Sequence, residues 1–483
     1  MIQALQLILA LSFLVVIHEL GHFTFARIFG VRVEKFYMFF DWKFSILKAK
    51  KYDGKWHFRF FQPTTDEKDI SDEWNQHPDN TEWGIGWIPF GGYCAIAGMV
   101  DETHDAEQIA KTEPQPWEFR SKNVWQRFCI IIGGILVNFI AALVIFGQLL
   151  YIWGTDVLPL RNVTTGLYYA EILEQEGFQQ QDKILTINGE EPQDLSDVAQ
   201  WIILEGRKDV QVLRGSDTVS LTMSDDLGKR YLALQNEFDR KERQKQHADK
   251  SYQKARLVLV SEYIPFVVDT ALAGDLAEQA GVLKGDTILA VAGVPTPCIA
   301  MAMQEIRKHP CEDCSLTIGR DTGRVELSIF IGDRCQIGVA PFGPTHYFDI
   351  EHTEYTFFQS VPAGIRHGWD MLVMYVKQFK LVFTKEGAQS LGGFGAIGSM
   401  FPKIWSWYAF WYMTAFLSLI LAFMNFLPIP ALDGGYILFL IFEMLTGKKP
   451  GDKFLEKANE IGMWLLLLLL IFANGNDLLK LFF

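Results

Sequence analysis

The sequence predicts a polytopic α-helical membrane protein with four transmembrane helices, a membrane-associated β-hairpin and two repeated α+β domains outside the cytoplasm. Three observations support this fold class. Four segments are long and apolar enough to span a bilayer, which takes about 20 mostly apolar residues. An internal sequence repeat lies between the second and the third of these segments. Of the 483 residues, 49% are hydrophobic, which is not typical of a water-soluble enzyme.

The predicted spans cover residues 5–29, 124–153, 408–427 and 461–472, and the last of them needs flanking residues to reach full length. The first span could also be interpreted as a signal peptide. It has no basic residue before it and no small-residue cleavage pattern, so we expect it to be retained.

Charge predicts the orientation and excludes one class of partner. The formal net charge of −13 argues against nucleic acid, because a nucleic-acid partner requires a basic face. Short cytoplasmic loops carry an excess of Lys and Arg, and four lysines follow the third span. They are Lys448, Lys449, Lys453 and Lys457. The pattern predicts that residues 154–405 lie outside the cytoplasm.

The first span contains the sequence HELGH, which fits the H-E-x-x-H pattern. His18 and His22 are four residues apart on a helix, so both can present an imidazole nitrogen to one zinc ion. Glu19 projects about 100° further around the helix, close enough to reach a water molecule beside the metal without being a ligand. Charge at the bilayer centre costs about 2.5 to 3.5 kcal/mol per residue, so a chance match is a weak explanation.

A catalytic zinc site normally has three protein ligands, and the first span supplies two. A third histidine six residues after His22 would complete one known pattern, but that position is Ile28. The third span contains NFLPIPALDGG, whose prolines cannot continue a helix, and irregular backbone at membrane depth lies against protein or lines a cavity. Asp433 in this segment is the candidate third ligand. Alone, Asp-Gly-Gly would more often be a turn that ends a helix.

The internal repeat aligns EGFQQQDKILTINGE, which begins at Glu176, with AGVLKGDTILAVAGV, which begins at Ala280, without a gap. The matched residues are Gly177, Asp182, Ile184 and Gly189 with Gly281, Asp286, Ile288 and Gly293. The first copy has Gln181 where the second has Gly285. Between the copies lies a strongly charged run that predicts a solvated helix or linker, with a binding surface as the weaker alternative.

Two further segments have a recognisable pattern. WGIGWIPFGGYCAIAGM, from Trp83 to Met99, alternates apolar and small residues and predicts a β-hairpin, which could alternatively serve packing alone. Residues 357–384 have an apolar stripe interrupted by charges, which predicts an amphipathic helix at the membrane surface.

Four of the six cysteines fall in the exported segment: Cys298, Cys311, Cys314 and Cys335. Cys311 and Cys314 have CxxC spacing, but no second such pair or nearby histidine pair accompanies them. Disulfides or buried thiols are therefore favoured over a zinc knuckle.

Taken together, these motifs resemble the site-two protease family of intramembrane zinc metalloproteases, in its bacterial arrangement. The resemblance rests on HELGH, PFGGY, N-x-x-P-x-P-x-L-D-G-G and the tandem repeats, which are similar to the PDZ domains of bacterial proteases. It covers nearly the whole chain. It implies Zn2+ held by His18, His22 and Asp433, with Glu19 as the catalytic carboxylate. It also implies a substrate-binding role for five residues: Asn425, Pro428, Gly91, Gly92 and Tyr93.

The implied function is hydrolysis of peptide bonds within or near the transmembrane segments of single-pass membrane proteins. Anti-sigma factors and remnant signal peptides, first shortened by another protease, are the implied substrates. The family's location is the bacterial inner membrane, with the active site towards the cytoplasm and the PDZ-like pair acting as a periplasmic size filter. SLGGFGAIGSMF, from Ser390 to Phe401, resembles a further family motif but has Phe394 where a proline is usual.

Two other classes of function are compatible with parts of the sequence. The chain could be a membrane-anchored PDZ scaffold with a non-catalytic metal site, but Glu19 is intact and structural zinc more often has four Cys or His ligands. It could be a metal transporter, but it has one HELGH site and no inverted repeat.

These interpretations divide the chain into nine segments. They are 1–30 (first span with HELGH), 31–123 (cytoplasmic loop with a membrane-reentrant β-hairpin), 124–153 (second span), 154–225 (first PDZ-like domain), 226–256 (charged linker), 257–345 (second PDZ-like domain), 346–405 (amphipathic membrane-surface region), 406–446 (third transmembrane segment) and 447–483 (cytoplasmic loop and fourth span).

Overall fold

The computed structural model describes residues 2–63, 73–77, 79–99, 113–248, 257–271, 275–321, 323–332, 335, 337–379, 382, 384, 387 and 392–482. Its α-helices are α1 (Ile2–Ile28), α2 (Val124–Trp153), α3 (Glu171–Glu174), α4 (Leu195–Ala199), α5 (Leu227–Ala248), α6 (Leu276–Gln279), α7 (Ile299–Ile306), α8 (Pro344–Tyr347), α9 (Phe357–Phe379), α10 (Phe394–Ser399), α11 (Trp407–Phe426), α12 (Asp433–Thr446) and α13 (Asp452–Phe482). The chain divides into two compact units.

Four helices among the described residues, α1, α2, α11 and α13, are long and apolar enough to cross a membrane, as predicted. The last candidate span, Lys453–Leu479, is longer than the predicted 461–472, because the helix begins within the lysine-rich segment. Apart from the last residues of α13, which follow Asp477, all four helices belong to the first unit, which comprises Met1–Gly154, Glu354–Val376 and Gly392–Asp477.

Close approach of α1 and α2 depends on glycine. Gly21 on α1 lies against the backbone of Gly133 and Gly134 on α2, so a Cβ atom at Gly21 would overlap that backbone. Small residues allow helices to approach closely in membranes, where dispersion contacts replace the hydrophobic driving force. The apolar core of this region is completed by residues of α11 and α12, including Ala422 and Ile437.

A five-stranded sheet follows α1, in the order β3-β2-β4-β1-β5. Its strands are β1 (Val33–Phe40), β2 (Phe44–Tyr52), β3 (Lys55–Pro63), β4 (Glu82–Ile85) and β5 (Ile88–Ile96).

The predicted hairpin within Trp83–Met99 is wrong, because β4 and β5 flank β1 instead of pairing with each other. β4 runs parallel to β1, and β5 runs antiparallel to it. The residues that connect β4 and β5 bond across β1: Gly86 N donates to Met38 O and Trp87 N donates to Phe40 O. Alternation in the sequence identified the strands but could not identify their partner.

The third predicted transmembrane segment is broken, as its prolines predict. Helix α11 ends at Phe426 and α12 begins at Asp433, with an irregular connection between them. Gly434 and Gly435 pack so closely on this connection that a Cβ atom at either one would overlap its backbone.

The amphipathic region contains α9, whose buried positions include Ser360 and Gly364. The motif from Ser390 to Phe401 lies partly outside the described residues, which resume at Gly392. Phe394 is the first residue of α10. The N–H groups at the amino terminus of this helix donate hydrogen bonds to side chains of α13. Asp477 Oδ2 accepts from Gly393 N and Ala396 N, each at 2.9 Å.

The second unit comprises Thr155–Thr353, Lys377–Leu391 and Leu478–Phe483. Its strands are β6 (Thr155–Val157), β7 (Leu167–Tyr169), β8 (Lys183–Ile187), β9 (Asp209–Arg214), β10 (Asp217–Thr222), β11 (Val260–Glu262), β12 (Phe266–Ala271), β13 (Thr287–Val291), β14 (Val294–Pro295), β15 (Glu312–Arg320), β16 (Gly323–Ile331), β17 (Val339–Pro341) and β18 (Glu351–Thr353). The sheets are β10-β9-β8, β11-β7, β18-β6 and β16-β15-β13-β12-β17, with β14 paired to β13.

The two sequence repeats form two separate hydrophobic cores. One surrounds Tyr169 and Val212, and the other surrounds Phe266 and Leu316. The predicted boundary at residue 257 assigned β11 to the second repeat. In the structure β11 pairs with β7, and its neighbours Leu259 and Ile264 are buried in the first core. Helix α5 occupies most of the charged run, of which residues 249–256 lie outside the described part of the chain.

Each repeat contains its own buried ion pair between an aspartate and an arginine. Asp182 and Asp286 are each 1% exposed, and each accepts two hydrogen bonds from an arginine, Arg214 or Arg320. Equivalent residues therefore make equivalent contacts. The residue before each aspartate is also equivalent, because Gln181 and Gly285 have φ values of 73° and 91°. The glutamine thus adopts the left-handed conformation for which the second repeat uses glycine.

Candidate active site

The structure brings His18, His22 and Asp433 together, although more than four hundred residues separate His18 from Asp433 in the chain. Asp433 Oδ2 lies 3.2 Å from His18 Nε2 and 3.4 Å from His22 Nε2. The two Nε2 atoms are 3.2 Å apart. Both histidines are buried, and the Asp433 side chain is 17% exposed. One donor atom from each residue therefore faces a single buried point.

The position of Asp433 follows from the break in the third transmembrane segment. Because the prolines end α11, α12 can start at a new angle, and Asp433 is its first residue. The two histidines need no such device, since a four-residue spacing on α1 already places them on one face.

The ring of His22 is oriented by a backbone carbonyl. His22 Nδ1 lies 2.9 Å from Ile130 O on α2, which can only accept, so the Nδ1 atom carries the proton. In a neutral imidazole the Nε2 atom then has a free lone pair. Metal-ligating histidines commonly use their second nitrogen in this way.

His18 has an equivalent partner in Asn138, which the sequence analysis missed. The Asn138 amide nitrogen lies 3.2 Å from His18 Nδ1, while Asn138 Oδ1 is buried and has no hydrogen-bond partner among the described residues. Amide orientation is assigned from the hydrogen-bond network, and a half-turn of this amide lets Oδ1 accept from Nδ1–H. The only sequence signal for Asn138 was a polar residue in an apolar span.

Three further predicted site residues lie on α1, near the end of α11 and in the connection that follows α11. Glu19 is half-buried beside the histidines on α1. Asn425, near the end of α11, has its amide nitrogen 3.4 Å from His18 Nε2 and so reaches the cluster. Pro428 lies in the connection between α11 and α12.

The three predicted residues on β5 lie beside α1 or contact other strands. A Cβ atom at Gly92 would come 2.9 Å from Val15 Cγ1, one turn before His18. Gly91 lies against the ring of Phe40 on β1. Tyr93 donates its hydroxyl to Asp41 Oδ1 at 3.1 Å, so this group is used within the sheet.

The residues present fit a zinc ion. With both Nδ1 atoms protonated towards α2, two imidazole lone pairs and one carboxylate oxygen face one another at 3.2 to 3.4 Å. Three acceptors in such close contact are stabilised by a cation. Two histidines and a carboxylate also form a known donor set for catalytic zinc.

A cluster of two histidines and a carboxylate, beside a glutamate and inside a bundle of membrane-length helices, defines the class of membrane-embedded metallopeptidases. Comparisons with known proteins agree with this class. Peptidase family M50 matches residues 6–63 and 73–469, and the chain belongs to this family. The family is zinc-dependent and includes the site-two proteases, so the predicted resemblance and the predicted zinc metalloprotease activity are confirmed.

Two relatives align with the chain over nearly its full length. The regulator of sigma E protease of Haemophilus influenzae is 27% identical over 499 residues, which cover 98% of each chain. Protease RseP of Yersinia pestis is 28% identical over 493 residues, again 98% of each chain. The alignments therefore include the spans, the five-stranded sheet and the repeats.

Proposed function

We propose that this intramembrane protease cleaves single-pass membrane proteins within or near their transmembrane segments, using His18, His22 and Asp433 as zinc ligands and Glu19 as the catalytic carboxylate. The observation that carries the proposal is the convergence of those three ligands inside the helix bundle. Zinc held there would supply Lewis-acid chemistry, polarising the scissile carbonyl and making water more acidic.

Two residues beside the ligands have proposed roles in the reaction. Glu19 accepts the proton of the attacking water and later delivers it to the leaving amine. Asn425 directs its amide towards the same point as the ligands, so it can donate a hydrogen bond to the backbone of the substrate or to the developing oxyanion.

A helical substrate must be unwound before its peptide bonds can be cleaved. The strand β5 can bind the unwound, extended segment. Among the described strands β5 pairs with β1 alone and is an edge of the sheet. An extended substrate can add to such an edge by main-chain hydrogen bonds. The contact of Gly92 with Val15 keeps this edge strand beside the helix that carries the histidines.

The proposal also states where the protein lies in the cell and how its substrates are prepared. The chain lies in the bacterial inner membrane, with the active site towards the cytoplasm and the repeats in the periplasm. The repeats act as PDZ-like domains that admit substrates already shortened by another protease, such as anti-sigma factors or remnant signal peptides. Supporting observations are the two equivalent cores and the lysine-rich start of α13, together with relatives named for regulation of sigma E.

The test compares the purified wild type with Glu19→Gln, measuring both bound zinc and cleavage of a single-span substrate. We expect the variant to keep its zinc and to cleave at least about 100-fold more slowly, the usual loss of a general base. Glu456→Gln, at an exposed position of α13, is the matched control and should cleave normally. Equal cleavage by Glu19→Gln and wild type would refute the catalytic assignment of Glu19, whereas absence of cleavage by both proteins would favour the scaffold alternative.

A further inference from the structure

A second cluster of metal-ligating side chains lies in the second repeat, far along the chain from the catalytic histidines. His309, Glu312 and Cys314 each offer one donor atom, and these atoms all lie within 4.8 Å of one another. We propose that this cluster binds a zinc-type divalent cation, as a second metal site distinct from the active site.

The three side chains are held by one short segment. Glu312 and Cys314 are two residues apart on β15, so both project from the same face of the strand. His309 lies in the turn between α7 and β15. β16 pairs with β15 at both Glu312 and Cys314, and β13 pairs with β15 further along, at residues 316–319, so two of the three ligands have a rigid base.

The imidazole of His309 is oriented as in known metal sites. Its Nδ1 atom lies 2.8 Å from Glu312 Oε2, and its Nε2 atom lies 3.4 Å from Glu305 Oε1 on α7. When Nε2–H donates to Glu305, the lone pair of Nδ1 faces the side on which Glu312 lies. A carboxylate behind a ligating histidine is a recurrent arrangement that fixes the tautomer and raises the basicity of the ring.

Burial gives the cluster a closed and an open side. Cys314 is 5% exposed and belongs to the core of the second repeat, whereas the Glu312 side chain is 58% exposed. A cation can therefore enter past Glu312 and reach the buried sulfur of Cys314, which loses its proton when it binds metal. Nitrogen, oxygen and sulfur donors together suit zinc, and three protein ligands leave a fourth position for water.

The full-length chain can be tested with cobalt, because the two proposed sites differ in sulfur. The active-site cluster of His18, His22 and Asp433 contains no cysteine, so a thiolate-to-cobalt charge-transfer band cannot arise there and reports on a cysteine ligand elsewhere, which the cysteine variants identify. Metal-free protein is titrated with Co2+ under reducing conditions in detergent. We expect a near-ultraviolet charge-transfer band and two bound cobalt ions per chain.

Three variants distinguish the ligands from their neighbours. Cys314→Ser should abolish the band and bind one cobalt ion, while Cys311→Ser, at the exposed cysteine three residues earlier, should keep both. Glu305→Gln should keep the band but bind cobalt about 10- to 100-fold more weakly, as expected for a residue behind a ligand. Thermal unfolding of each variant establishes that it is folded. A wild type without the band, or a band that survives in Cys314→Ser, overturns the proposal. Neither result bears on the proposed protease function, which depends on the other cluster.

Discussion

At the scale of single residues, polar groups inside the helix bundle bond to one another. Ser418 Oγ donates to Asn138 O at 2.7 Å, and the Asn138 side chain contacts His18. Burying a polar group is costly unless it is paired, so each of these groups stabilises the position of the next. The consequence is that one proposed ligand of the metal depends on a residue of a different helix.

The first prediction concerns Asn138→Leu. The substitution removes the acceptor for His18 Nδ1–H, so we expect zinc to bind about 10- to 100-fold more weakly. Competition with a zinc chelator measures the change. Thr414→Val is the matched control, since Thr414 is equally buried but donates to Phe410 O within its own helix. Equal zinc affinity in all three proteins would show that Asn138 does not orient the ligand.

The second prediction concerns the buried pair of the second repeat. The Arg320 guanidinium holds the pKa of the Asp286 carboxyl below its ordinary value of about 3.9. The stabilisation is therefore complete above that pH and is lost as the pH falls through the lower folded pKa. We expect Asp286→Asn to reduce the free energy of unfolding near pH 7. Breaking a buried ion pair costs about 3 to 5 kcal/mol, and we expect a loss no larger than the lower end of that range because Arg320 is partly exposed.

Thermal unfolding at pH 7 and at about pH 3 measures this effect, and the difference from wild type should shrink in acid. The control is Asp269→Asn. Its partner Lys284 is 69% exposed, and such surface pairs contribute about 0 to 1 kcal/mol. A loss for Asp286→Asn that is the same at both pH values would contradict the proposed ion-pair origin.

At the scale of elements, the crossing of α1 and α2 determines whether the proposed ligands can converge. A Cβ atom at Gly134 would overlap the ring of His22 and come 2.8 Å from Cε1 of His18. The histidine rings therefore occupy the space that any larger residue on α2 would need.

The third prediction is that Gly134→Ala lowers zinc occupancy and proteolysis together, because the new methyl group displaces the imidazoles. Metal analysis and cleavage of a single-span substrate measure the two effects. Gly475→Ala on α13 is the control, since a Cβ atom there meets nothing within 4 Å. Full zinc occupancy in Gly134→Ala would mean that α2 can move away without loss of the site.

At the scale of the whole molecule, the proposed orientation can be tested with a native thiol. Cys311 is the exposed cysteine of the chain, and it lies in the segment predicted to be outside the cytoplasm. We expect a membrane-impermeant thiol reagent to label Cys311 from the periplasm, and Cys311→Ser to lose the label. Labelling that requires disruption of the inner membrane would reverse the proposed orientation.

Much of the architecture could be predicted because it depends on local sequence patterns. Four apolar segments, the four-residue spacing of His18 and His22, and the repeat around Asp182 and Asp286 each depend on residues close together in the chain. The break before Asp433 could be predicted for the same reason, since proline acts on its own helix. The pairing of β4 and β5 with β1 could not be predicted, because alternation identifies a strand without its neighbour.

The sequence by itself determined the spans, the H-E-x-x-H pair and the two repeats, because periodicity and spacing are local properties, and its motifs resemble those of the zinc protease family. Only the tertiary structure decided which distant groups complete the sites. It placed Ile130 and Asn138, 108 and 120 residues away, behind the histidines, and it paired β11 with β7. These contacts depend on how helices and strands pack, and packing is set by the whole chain at once.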